Sequence, residues 1–85
     1  MTFEELAKVV ADDYKETMEM CECETFEEFI YCNAWDIKDI KEDVDAILRT
    51  YTDAYIDEVD GTEVILNDEL MSYRKFSAMF RKLLK

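Results

Sequence analysis

Residues 37–57 read IKDIKEDVDAILRTYTDAYID, and this stretch decides the fold class. Its apolar residues recur three or four positions apart, at Ile37, Ile40, Val44, Ile47, Leu48, Tyr51 and Tyr55. This spacing places them on one face of an α-helix, because the helix has about 3.6 residues per turn. The stretch predicts a long amphipathic helix over about residues 37–57. Asp60-Gly61 would end it, since glycine readily adopts the left-handed conformation found at helix ends.

The string Thr-Phe-Glu-Glu marks two further helix starts, at residues 2–5 and 25–28. Each copy has the form of a capping box, in which a threonine hydroxyl and a glutamate three residues later satisfy each other's backbone N–H groups. Apolar residues at helical spacing follow both copies. We therefore predict a first helix over about residues 3–21 and a short second helix over about residues 26–33.

The last quarter of the chain predicts a change of structure and then a final helix. Val64-Ile65 is β-branched and favours a short extended segment at residues 62–66. Asn67 or Asp68 would then cap a last helix over about residues 69–84. The predicted fold class is mainly α, a small bundle of about four helices with a short turn and β insertion before the last helix. Residues 1–85 would form a single acidic domain.

Charge is distributed unevenly along the chain. Residues 1–69 contain all 22 acidic residues and five basic ones, which gives a net charge of −17. Residues 70–85 contain five basic residues and no acidic one. We expect this basic stretch, Arg74 to Lys85, to neutralise the neighbouring acidic helices. So negative a surface disfavours direct contact with nucleic acid or an anionic membrane and favours a basic protein partner.

The acidic residues of the predicted first and third helices fall into two rows. Two rows of carboxylates along rigid helices would imitate the phosphate spacing of a nucleic-acid strand. The alternative is a solvated face that serves solubility. Trp35, at the junction before the third helix, would be the natural interface anchor if it is exposed. The candidate partner-binding residues are therefore Glu5, Asp12, Glu16 and Glu19, then Asp39, Asp43, Asp53 and Asp57, with Trp35.

Catalytic motifs are missing from the sequence. The chain has no histidine, which removes the usual general base and activator of nucleophiles. It has a single glycine, so it has no glycine-rich loop of the kind that binds nucleotide phosphates. We therefore expect a protein that is not an enzyme.

Three cysteines lie close together in the sequence, at the predicted junctions of the first helices. An odd number of cysteines is unusual for a secreted disulfide framework, so the cytoplasm is the expected location. Cys21, Cys23 and Cys32 would supply three thiolates to a tetrahedral zinc ion, with Asp36 as the candidate fourth ligand. The alternative is that they are ordinary thiols without a metal.

In its size, its negative charge and its lack of catalytic residues, the chain resembles small inhibitor proteins that phages and mobile elements use against host nucleases. Anti-CRISPR and anti-restriction proteins belong to this class. The resemblance implies a protein of the bacterial cytoplasm that occupies a basic groove on a nucleic-acid-handling protein. A CRISPR effector nuclease is the specific expectation, because its guide–target channel is cationic. Two alternatives remain open, a regulatory or accessory interaction module of the antitoxin type and a small zinc-stapled protein with another role.

Overall fold

The computed structural model describes all 85 residues and contains four helices and one small sheet. The helices are α1 (Phe3–Met20), α2 (Phe26–Cys32), α3 (Ile37–Tyr51) and α4 (Tyr73–Leu83), and the strands are β1 (Tyr55–Ile56), β2 (Glu63–Leu66) and β3 (Glu69–Ser72). The mainly helical fold with a β insertion before the last helix is thus confirmed. None of the helices combines the length and the apolar character that a membrane crossing requires.

The two Thr-Phe-Glu-Glu strings start α1 and α2 as predicted. At α1 the capping box is complete, since the Thr2 hydroxyl accepts from the Glu5 N–H at 3.1 Å and the Glu5 carboxylate accepts from the Thr2 N–H at 2.9 Å. At α2 the Thr25 hydroxyl accepts from the Glu28 N–H at 3.0 Å. The Glu28 carboxylate instead accepts from the N–H of Glu24, at 3.3 Å, so the second box is only half formed.

Both α1 and α2 end in the same backbone turn, with a left-handed residue that is not glycine. After α2, Ala34 has φ +54°, its N–H donates to the Tyr31 carbonyl, and the Trp35 N–H donates to the Ile30 carbonyl. This pair of hydrogen bonds is the Schellman motif, which satisfies the last carbonyls of a helix. Glu22, with φ +59°, holds the equivalent position after α1. The turn after α2 fixes where Trp35 lies.

Helix α3 ends at Tyr51, six residues earlier than the periodicity predicts. Both the N–H and the hydroxyl of Thr52 donate to the Leu48 carbonyl, at 2.8 and 2.6 Å, and the Thr52 backbone is extended with ψ 178°. Tyr55 and Ile56 then form β1. The prediction that the helix reaches residue 57 was wrong, because pairing with β2 outweighs the helical spacing of Tyr55.

The insertion is a three-stranded antiparallel sheet in the order β1-β2-β3. The extended segment predicted at residues 62–66 is confirmed as β2. Leu66 pairs with Glu69, so Asn67 and Asp68 form a two-residue hairpin turn, and Asn67 has φ +56°. The prediction that either residue caps the last helix was wrong. Ser72 caps α4 instead, its hydroxyl accepting from the Lys75 N–H at 3.1 Å.

A single apolar core joins all four helices and the inner face of the sheet. It consists of 19 buried residues, none of them charged. At its centre the Tyr14 ring lies 4.8 Å from the Phe26 ring and 5.9 Å from the Phe80 ring, measured between centroids. Helix α1 therefore packs against both α2 and α4, and it also contacts α3. The outer face of α1 and the adjoining face of α3 remain in solvent.

Candidate acidic interface on helices α1 and α3

Acidic side chains from α1 and α3 lie together where these two helices meet. Asp39 and Asp43, one turn apart on α3 and both half-buried, line a shallow depression with exposed Glu42 and with Trp35. Asp13 of α1, also half-buried, is close enough to Asp43 for their charges to interact. With Glu16 these residues form the acidic face, which consists of Asp13, Glu16, Asp39, Glu42 and Asp43.

The negative charge of the acidic face is not compensated within the chain. None of its five carboxylates takes part in an ion pair. Burial raises the pKa of Asp13, and the charges of Asp43 and Glu16 raise it further. Each effect disfavours the ionised form of Asp13. The folded protein therefore holds this carboxylate at an energetic cost.

A buried hydroxyl lies beneath the acidic face. The Tyr14 side chain is 1% exposed, and its hydroxyl oxygen has no hydrogen-bond partner. Burial raises the pKa of Tyr14, and the negative charge of Asp43 raises it further. The hydroxyl therefore stays neutral and lies close to the Asp43 carboxylate.

An aromatic edge borders the acidic face at the start of α3. The Trp35 ring is half-buried and packs edge-on against Phe29, with 5.4 Å between the centroids. Tyr31 is 85% exposed and shares a shallow groove with Trp35, Ile30 and Ala34. Because Trp35 lines both this groove and the acidic depression, the aromatic and acidic surfaces are continuous.

The structure gathers only part of the predicted partner-binding set. Glu16, Asp39, Asp43 and Trp35 lie in or beside the acidic face. Three of the other residues lie elsewhere: Glu5 in the α1 capping box, Asp53 in the bend after α3, and Asp57 after β1, where it accepts from the Val59 N–H at 2.9 Å. Asp12, which pairs with Lys8 at 3.4 Å, and exposed Glu19 lie one helical turn on either side of Glu16 on α1.

The predicted third-helix row of four aspartates was therefore wrong for its second half. Asp53 and Asp57 follow the end of α3 and cannot continue a row along it. The sequence reasoning also missed Asp13 and Glu42. Both lie within one turn of predicted members, and spacings of three or four residues would have placed Asp13 near Glu16. Nothing in the sequence indicated which α1 residues meet α3.

The basic residues of α4 do not pair with the acidic helices. The ion pairs of the chain join Lys8 to Asp12 and Arg49 to both Asp45 and Glu58, and none involves α4. The expectation that α4 neutralises the neighbouring acidic helices is not supported by any ion pair and stays a prediction. Its cations remain available to other partners.

The cysteines lie at the ends of α1 and α2, and all three are free thiols. Cys21 and Cys32 are exposed, whereas Cys23 is half-buried with its Sγ 3.8 Å from the Cys21 carbonyl oxygen. Burial raises the pKa of the Cys23 thiol, and the nearby Cys32 raises it further.

The proposed fourth zinc ligand has another role. Asp36 caps α3, where its carboxylate accepts from the Asp39 N–H at 2.9 Å. No group of three or more Cys, Asp or Glu side chains has an arrangement that would hold a metal ion. The chain thus offers a poor fit to zinc as it stands, and zinc binding stays a prediction from the sequence.

No protein-family model, curated protein or solved structure matches this chain.

Proposed function

We propose that this protein is an inhibitor that binds a basic groove on a nucleic-acid-handling protein. The observation that supports it is the uncompensated acidic face beside exposed Tyr31 and half-buried Trp35. Interfaces draw much of their affinity from aromatic anchors, while complementary charge guides association and selects the partner. In this proposal Tyr31 and Trp35 anchor the contact, and the five carboxylates receive lysine and arginine side chains that otherwise hold nucleic acid.

The electrostatic cost at Asp13 supports the same proposal. A cation placed against Asp13 and Asp43 by a partner would relieve the repulsion that now raises the pKa of Asp13. Surfaces that bind often retain such unfavourable charges, because removing them would increase stability at the expense of function. The target we propose is a CRISPR effector nuclease in the cytoplasm of a bacterial host, since its nucleic-acid channel is strongly cationic.

A matched pair of charge-reversal variants tests this proposal. Glu42→Lys with Asp43→Lys alters the acidic face, whereas Asp53→Lys with Asp68→Lys makes the same change in net charge at exposed positions that form no hydrogen bond. Binding to a purified guide-loaded effector, and protection of its target from cleavage, would be measured for both. We expect the first variant to lose affinity by about tenfold or more and the second by less than about threefold.

Salt gives an independent measurement of the same contact. Affinity of the native chain should fall steeply between about 0.05 and 0.3 M NaCl, because exposed charges are screened over this range. Equal losses in both variants would mean that only net charge matters and would contradict a defined face. An affinity that does not change with salt concentration would instead favour the antitoxin-like alternative, an interaction module that binds through apolar surface.

A further inference from the structure

A cationic cleft of about 350 Å³ lies between the first turns of α3, one side of α4 and the turn that precedes β2. Three basic side chains line it, Lys41, Arg74 and Arg81, together with the side chains of Thr62, Tyr73 and Ser77. Although the chain has 22 acidic residues, none lines this cleft. The cleft is formed by a different side of α3 from the acidic face.

Aromatic rings and hydroxyls, rather than carboxylates, hold the basic side chains of the cleft. Lys41 Nζ lies 5.1 Å from the centroid of the Tyr73 ring. The Arg81 Nε donates to the Ser77 hydroxyl at 3.2 Å, and its guanidinium lies 5.1 Å from the centroid of the Phe26 ring. None of the three cations of the cleft forms an ion pair. Most of their N–H donors are therefore free to bind a ligand.

The only glycine of the chain shapes the cleft. Gly61 has φ +67°, and a Cβ there would lie 3.4 Å from Cδ and 3.5 Å from Nζ of Lys41. The backbone of the turn thus packs directly against the Lys41 side chain, which also lies over Tyr73. These contacts hold one cation in place before any ligand arrives, which reduces the entropy lost on binding.

We propose that this cleft binds the phosphate group of a small phosphorylated molecule. Arginine presents a planar fork of N–H groups that matches phosphate oxygens, and lysine adds a point charge. The Ser77 hydroxyl, which accepts from Arg81 Nε, supplies a neutral donor at the same cleft, whereas the Thr62 hydroxyl already donates to Asp60 at 2.8 Å. Tyr73 and Ile40 give it an apolar wall, which suits an organic body attached to the phosphate. The volume falls at the lower end of the range of small-molecule pockets, roughly 300–1,000 Å³.

Nuclear magnetic resonance tests the proposal directly, because Gly61 gives the only glycine amide signal and lines the cleft. The native chain would be titrated separately with adenosine monophosphate, inorganic phosphate and uncharged adenosine. We expect saturable shifts of the Gly61 signal with both phosphate probes and none with adenosine. Tighter binding of the nucleotide would identify a phosphomonoester as the ligand, and equal binding would identify free phosphate. A response to adenosine as strong as that to the nucleotide would overturn the proposal, as would no saturable response to either phosphate probe.

Neighbouring positions on α4 provide a matched control. Arg74 lines the cleft, whereas Lys75 does not, and both side chains are exposed. Arg74→Ala should weaken binding of the phosphate probe by about fivefold or more, and Lys75→Ala by less than about twofold. Equal weakening would indicate nonspecific attraction and contradict the proposal. If Arg74→Ala disturbs the fold, Lys41→Met replaces it, since methionine keeps an apolar stem against Tyr73 while removing the charge.

Discussion

The residue that best shows local strain is Ala34, which ends α2 in a left-handed conformation at φ +54°. This conformation costs an L-residue with a Cβ about 1–2 kcal/mol, whereas glycine adopts it freely. We therefore expect Ala34→Gly to raise the free energy of unfolding by about 0.5–1 kcal/mol, after allowing for the greater flexibility of glycine in the unfolded chain. Urea unfolding followed by circular dichroism would measure it.

The same substitution within a helix should have the opposite sign. Ala78 is exposed in α4, where glycine costs about 0.5–1 kcal/mol relative to alanine. A loss of stability in Ala34→Gly comparable to that in Ala78→Gly would contradict the interpretation of strain at residue 34.

Asp13 should make stability depend on pH in a defined direction. Its pKa is raised in the folded state, so the protonated form is the one that folding favours. The contribution of Asp13 to stability is therefore present at acidic pH and is lost as the pH rises and Asp13 ionises. We expect Asp13→Asn to be more stable than the native chain by about 0.5 kcal/mol near pH 7, a figure kept small because the side chain is partly solvated.

The stability gained in Asp13→Asn should disappear near pH 3, where most carboxyl groups are protonated. Urea unfolding at the two pH values gives the comparison. Asp53→Asn serves as the control, since that side chain is exposed and forms no hydrogen bond, and it should change little at either pH. An advantage of Asp13→Asn that persists at pH 3 would show that charge is not its cause.

At the scale of elements, helix boundaries that depend on neighbouring residues could be predicted from the sequence, whereas those that depend on strand pairing could not. The starts of α1, α2 and α3 depend on side chains within four residues, such as Thr2 and Thr25. The end of α3 depends on pairing between Tyr55 and Ile65, ten positions apart, which helical periodicity does not register. The predicted start of α4 at residue 69 was wrong for the same reason, since residues 69–72 pair with β2 as strand β3 and exposed Leu70 lies in that strand.

In the candidate site, too, residues on one helix could be grouped from the sequence, whereas residues on different helices could not. Asp39 and Asp43 were predictable because one turn of helix separates them. Joining them to Asp13 requires knowing how α1 crosses α3, which only the packed core decides. The cationic cleft also depends on contacts between distant elements, and the sequence indicated only that basic residues concentrate in α4.

The Asp45 carboxylate connects α3 to β1, and its removal should lower the free energy of unfolding. Asp45 accepts from the Ile56 N–H at 2.7 Å and from Arg49 Nε at 2.9 Å. Asp45→Ala leaves the Ile56 N–H, which is partly buried, without its acceptor, and an unsatisfied buried group costs about 1–3 kcal/mol. We expect a loss of stability within this range, measured by urea unfolding.

Asp45→Asn separates the backbone contact from the ion pair. Asparagine retains an oxygen for the Ile56 N–H but loses the charge that pairs with Arg49. Because that ion pair is partly exposed to solvent, we expect Asp45→Asn to lose less than half as much stability as Asp45→Ala. Equal losses in the two variants would mean that the contact with the Ile56 N–H contributes little.

For the whole molecule, salt should strengthen the fold while weakening the proposed partner contact. The net charge of −12 makes the folded chain repel itself, and salt screens this repulsion. We expect the urea midpoint to rise between about 0.02 and 0.3 M NaCl, the range over which affinity for a basic partner should fall. A midpoint that falls with salt would mean that the ion pairs outweigh the self-repulsion.

The packing of α1 against α4 also sets the order in which this chain can fold during synthesis. Tyr14 of α1 and Phe80 of α4 stack with centroids 5.9 Å apart, although 66 positions separate them in the sequence. While the ribosome is still translating the sheet, α4 has not yet been made. The apolar side of α1 that α4 covers in the folded protein is then exposed. The apolar side of α1 therefore stays uncovered until α4 has been synthesised, and exposed apolar surface of this kind makes a partly folded chain prone to aggregate.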